Sequence, residues 1–119
     1  MRELCAVRGI PFVALLIPIQ PAVDPSAAKL LAARAPDAVR QAGFDWNLST
    51  RQATALLADL GVVALDPSDA LRTARRAGPT HFDFDGHLTP RGCRAVAAAL
   101  LAHRDVIFSA SAATDAPGR

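Results

Sequence analysis

The chain has 119 residues, enough for one small domain and too few for two. An apolar share of 51% against 20% charged residues sets it apart from intrinsically disordered chains, and with five Phe, one Trp and no Tyr its Ala- and Leu-rich interior favours helices on a small sheet over a β-sandwich. The formal net charge is only +2, and the arginines are dispersed instead of being stacked among aromatics, which leaves nucleic-acid binding without support.

In chain order, Leu4, Cys5 and Val7 lie on one side of a short helix over residues 2–8, which Gly9 terminates. A strand over residues 12–17 follows. The apolar run from Ile10 to Ile19 has roughly the length of a signal-peptide core, but Pro11 and Pro18 bracket it and no small-residue cleavage site follows at residues 20–23. It is read as a buried strand, too short to span a bilayer, and no compartment is assigned. Residues 18–23 read as a Pro-rich loop. Asp24-Pro25 then opens a helix with an acidic cap and Pro at its first position, running to Pro36. Residues 37–47 are ambiguous: residues 38–42 fit one helical turn or two, and residues 43–47 read as loop.

Ser49-Thr50-Arg51-Gln52 has the form of a capping box, so a helix is expected to start there. Its apolar positions Ala53, Leu56, Leu57 and Leu60 follow the helical i, i+3, i+4, i+7 pattern, and Gly61 stands where a left-handed cap is needed. The continuous apolar run at residues 62–65 predicts a second strand covered on both faces. Ser68 is expected to cap a helix reaching Arg76. Thr89-Pro90 begins the last helix by the same cap-and-proline logic, with Cys93, Val96, Ala97, Leu100 and Leu101 expected on its buried side. Cys5 and Cys93 read as two buried thiols, His103 as a helix-end residue, and residues 109–119 as a disordered tail.

Two strands joined by helical crossovers must be parallel, and two parallel strands do not make a free-standing sheet. The fold class expected is therefore α/β and helix-dominated: part of a doubly wound, flavodoxin-like parallel sheet flanked by helices, with residues 1–108 forming half of such a domain.

His81, Asp83, Asp85 and His87 fall within seven positions of one loop, the densest chemistry in the chain. An Asp-x-His tripeptide alone is more often a surface turn than a catalytic pair, so its surroundings decide. Asp85-Gly86-His87-Leu88-Thr89-Pro90-Arg91-Gly92 resembles the last conserved block of SGNH/GDSL hydrolases, in which an Asp and a His on one loop precede a helix beginning near a Pro and a Gly. Arg8-Gly9-Ile10-Pro11-Phe12 leading to Leu16-Ile17-Pro18, and Leu60-Gly61-Val62 leading to Leu65-Asp66-Pro67, are similar to the last strands of that fold. The resemblance covers residues 1–103.

What the resemblance implies is the C-terminal half of a serine esterase or acyl transferase, with His87 as general base and Asp85 as the residue that orients it. The substrate would be an acyl ester, carbohydrate esters included, and no cofactor is implied. The commoner family spacing is Asp-x-x-His; the shorter spacing here looks like the branch that acetylates exported polysaccharides, and it leaves Asp83 as a rival orienter. The family's nucleophile sits in a Gly-Asp-Ser block, and none occurs around Ser26, Ser49, Ser68, Ser109 or Ser111. Its oxyanion-hole Gly and Asn blocks are not found either, Asn47 being the one Asn. The chain by itself is expected to be inactive, completed by an N-terminal half or self-associating through an open sheet edge. Two other readings compete: a metal site on His81, Asp83, Asp85 and His87, which alternate as on one face of an extended segment, and a catalytically inactive interaction fragment.

Overall fold

The structure, a computed structural model, describes residues 1–34, 37 and 44–109. Helix α1 (Arg2–Val7) leads to strand β1 (Val13–Leu15), followed by α2 (Gln20–Val23), α3 (Pro25–Arg34), α4 (Leu48–Asp59), β2 (Val63–Leu65), α5 (Ser68–Arg75), α6 (Pro90–Ala102) and α7 (Arg104–Ser109). Helix dominates, and β1 pairs with β2 in parallel, Val13 opposite Val63 and Leu15 opposite Leu65. The α/β class and the parallel sense are as the sequence indicates. The stretch at residues 38–43 and the tail from residue 110 lie outside the described residues. Among those described, no helix is long and apolar enough to cross a membrane.

Local chemistry accounts for most of the boundaries. The Asp24 carboxylate accepts from the Ser26 and Ala27 amides at 3.0 and 3.4 Å, capping α3 ahead of Pro25 as expected. At the end of α4 the Val62 amide donates to the Leu57 carbonyl at 2.8 Å while Gly61, at φ +65°, makes the left-handed turn. Neither expected serine cap forms: the N-cap positions are Asn47 and Pro67, each preceded by an aspartate that fixes the turn. Helix α4 starts at Leu48, ahead of Ser49, because the Asp45 carboxylate accepts from the Asn47 amide at 2.8 Å and pairs with Arg51, so the turn closes before the capping box is reached. Ser68 is the first residue inside α5, and the Asp66 carboxylate accepts from both its amide and its hydroxyl.

Other expectations are corrected by packing. The Pro-rich loop contains the single turn α2, which carries Ala22 and Val23 into the interior. The strands are three residues each, shorter than the apolar runs that suggested them, since Pro11 and Pro18 limit the first and the chain turns at Asp66-Pro67 after the second. On α6 the row Gly92, Val96 and Leu100 turns inward, whereas Cys93, Ala97 and Leu101 sit about 100° further round and are exposed. Cys93 is therefore not a buried thiol, and Cys5 is only half-buried; both are free.

The core is Val23, Leu71 and Val96, with Leu88, Ala95 and Leu100 packed against it. It lies between α2, α5 and α6. Away from it, α1, α3 and α4 bury no residue. Of the predicted α4 stripe, Ala53 and Leu57 are half-buried while Leu56 and Leu60 are exposed.

Candidate active site

The segment from Thr80 to Thr89 is a closed hairpin and not a free loop. The Thr89 amide donates to the Thr80 carbonyl at 3.0 Å, His81 and Leu88 form an antiparallel bridge, the Phe82 amide donates to the His87 carbonyl at 2.8 Å, and the Gly86 amide to the Phe82 carbonyl at 3.0 Å. Thr89 ties the hairpin to α6: its hydroxyl donates to the Pro79 carbonyl at 2.9 Å and accepts from the Gly92 amide at 3.3 Å. Gly92 is required by close approach, because a Cβ there would stand 2.2 Å from the Thr80 carbonyl oxygen. The Thr-Pro-x-Gly sequence is thus the fitting by which the helix seats on the hairpin.

At the hairpin tip Asp85 grips His87 twice. One carboxylate oxygen accepts from the His87 amide at 2.9 Å and the other lies 3.1 Å from ring Nδ1. The first contact is an Asx-turn, which needs a two-residue offset, so the short Asp-x-His spacing itself supplies the geometry. The His87 amide, more than the ring, holds the Asp85 carboxyl below the usual carboxylate range, against desolvation, which acts to raise it. The imidazole is 82% exposed, and among the described residues no serine hydroxyl bonds to it. An exposed pair of this kind adds little to stability.

The four alternating residues do not converge. Asp83 turns away from His87, and its carboxylate accepts from Gln20 Nε2 at 3.3 Å. His81 is 2% exposed, with Nδ1 3.2 Å from the Thr80 hydroxyl. Its Nε2 is buried without a hydrogen bond of normal geometry, although the Pro18 carbonyl on that side favours the protonated ring. Burial outweighs this and the Asp24 charge, and holds the His81 pKa below the ordinary histidine value. Among the described residues no three His, Cys, Asp or Glu side chains gather as metal ligands. His103 is a helix-end residue as expected, with Nδ1 2.8 Å from the Ala99 carbonyl.

The same hairpin borders features not legible in the sequence. Asp24 is 6% exposed and receives Arg75 Nε at 2.6 Å across 51 positions of chain. Burial is the largest influence on its carboxyl and raises the pKa, but Arg75 and the Ser26 and Ala27 amides together bring it below the usual value. Above this ion pair a groove of about 780 Å³ runs between the hairpin tip, at Asp83, Asp85 and Gly86, and the Ala27, Leu30, Leu31 and Arg34 face of α3. Of the ion pair, Asp24 carried a sequence signal, as a helix cap, and Arg75 none; a contact between residues 24 and 75 has no local signature.

Comparison of the chain with family models, with curated proteins and with solved structures finds no match.

Proposed function

We propose that His87 and Asp85 are the base and the orienting acid of a Ser-His-Asp triad for ester hydrolysis or acyl transfer, in a protein that draws its serine nucleophile and oxyanion hole from outside this chain. The observation that carries the reading is the double grip of Asp85 on His87. With Nδ1–H donated to the carboxylate, Nε2 is left as the free base that takes a serine proton, and Asp85 stabilises the imidazolium that results. As a carboxylate Asp85 is ionised at neutral pH, as that task requires. Asp83, committed to Gln20, is a positioning residue for the hairpin at most.

On this reading residues 1–108 are the C-terminal half of a doubly wound domain of SGNH/GDSL type. The support is physical: among the described residues the parallel sheet has two strands and no further strand pairs with either edge, and the helices α1, α3 and α4 around it bury no residue. The segment leaving the carboxyl end of β1 lies against the hairpin through Pro18 and Gln20, the usual side for reactive groups in such sheets. The partner is a complementing N-terminal half, or a second copy meeting the open sheet edge. The substrate is an acyl ester.

The test is reconstitution. The chain alone is expected to hydrolyse a small activated ester no faster than free imidazole, and to become active when joined to an N-terminal half bearing a Gly-Asp-Ser block. In that enzyme His87→Ala should cost on the order of 10⁴-fold or more in kcat, Asp85→Asn a comparable or smaller factor, and Asp83→Asn little. Full activity in His87→Ala would end the esterase reading; a larger loss in Asp83→Asn than in Asp85→Asn would transfer the orienting role.

A further inference from the structure

His81 is the histidine of the hairpin that the triad does not use, and it stands where the hairpin meets the rest of the molecule. Its ring is 2% exposed, with Nδ1 3.2 Å from the Thr80 hydroxyl, Nε2 buried and the Pro18 carbonyl beside it. The backbone carries this contact toward the tip: His81 bridges Leu88, and the Phe82 amide next to it donates to the His87 carbonyl. Among the described residues, little around the ring can balance a positive charge. The segment from Ile10 to Val23, which it packs against at Pro18, has no ionisable side chain. Asp24, at the start of α3, is the acid whose charge reaches the ring, and its carboxylate is already shared among Arg75 of α5 and the Ser26 and Ala27 amides. On the hairpin itself Asp83 is bonded to Gln20 and Asp85 to His87, and α6 contributes a cation, Arg91, whose guanidinium lies by Gly78.

We propose that His81 is a positioning residue for Asp85 and His87 and an acid-sensitive latch on them: the neutral ring seats the hairpin against the segment leaving β1, and protonation of the ring frees the hairpin there. The latch stands on the structure alone, and its meaning for catalysis rests on the function proposed above. A buried imidazolium loses its hydration, and Asp24 is committed to other partners, so the proton is accommodated by bringing the ring to water. The base of the hairpin stays seated, because the Thr89 hydroxyl bonds Pro79 and Gly92 and the Thr80 carbonyl rests over Gly92. The part released is Phe82 to His87, and with it the placement of His87.

The full chain can be titrated from about pH 8 to about pH 5, across the histidine range, while the ring resonances of its histidines and the shifts and exchange of its backbone amides are followed. The His81 ring is expected to titrate below the ordinary histidine value, and the Phe82 and Gly86 amide shifts to titrate with it and not with the His87 ring. Protection of those amides should fall by up to about tenfold per pH unit, and the Leu71 and Val96 amides should remain protected at the pH where the hairpin amides exchange freely. The transition should persist in His87→Gln and vanish in His81→Gln. Hairpin amides that do not respond to the His81 ring, that follow the His87 ring, or that exchange together with Leu71 and Val96 would each overturn the latch, and the parent chain decides this without a variant. In the reconstituted enzyme the acid limb of kcat should reach a slope of about two in the parent and about one in His81→Gln, since of the two histidines only His87 then titrates. Equal slopes would overturn the positioning role. A working latch in an inactive reconstituted enzyme rejects the triad alone, and an active enzyme whose hairpin is indifferent to His81 rejects the latch alone.

Discussion

The stretch from α5 through the hairpin to α6 is less rich in apolar residues than the stretch from α1 through α4, yet it is the better closed of the two. In the first, α5, the hairpin and α6 are neighbours in sequence and close on each other. Leu71 is fully buried, Val96 nearly so, and the hairpin is fastened through Thr80, Thr89 and Gly92. In the second, the helices flank a sheet of two short strands and leave Leu4, Leu30, Leu31, Leu56 and Leu60 about half exposed or more. The helix–hairpin–helix unit closes around Leu71 and Val96 with one insertion from outside, Val23 of the single turn α2, whereas helices of a parallel sheet depend on strands supplied from elsewhere.

Substitutions at matched apolar positions should separate the two regions most sharply. Leu71→Ala is expected to cost about 2–5 kcal/mol in denaturant unfolding, because it opens a cavity where the core is fully closed. Gly92→Ala should cost about 1–3 kcal/mol, since the added methyl must push back the Thr80 backbone, and it should broaden the hairpin amide signals. An acid-dependent loss should follow from His81. Its pKa is lowered in the folded state, so the unfolded chain binds its proton first; stability is fully present above the ordinary histidine value near 6.5 and falls as pH drops through that value toward the lowered one. A His81→Gln variant compared with the parent across that window should lack this slope, and an identical slope would remove His81 from the account. The smallest effect is expected at Leu56→Ala, within about 0.5 kcal/mol, because that side chain is 60% exposed. A Leu56→Ala penalty equal to that of Leu71→Ala would break the contrast and place α4 in a core of its own.

The hairpin shows how site and scaffold share residues. Thr89, Pro90 and Gly92 look like helix-start signals in the sequence, and they are; the same Gly also admits the Thr80 carbonyl, which fixes where the hairpin leaves the helix. Asp85 was identifiable beside His87 by its spacing, since an i to i+2 carboxylate contact is local and needs nothing from the rest of the chain.

By itself the sequence determined what local rules govern: the parallel pair of strands, the caps at Asp24 and Thr89, the turn at Gly61, and Asp85 and His87 as neighbours on one tip. Only the tertiary structure decided what depends on distant partners. It sent Asp83 to Gln20, buried His81 against Pro18, paired Asp24 with Arg75, exposed Cys93 and opened the groove along α3. The reason is physical: periodicity and capping act over a few residues, whereas which face of a helix is covered, and which of four alternating side chains turns inward, is set by whatever packs against it.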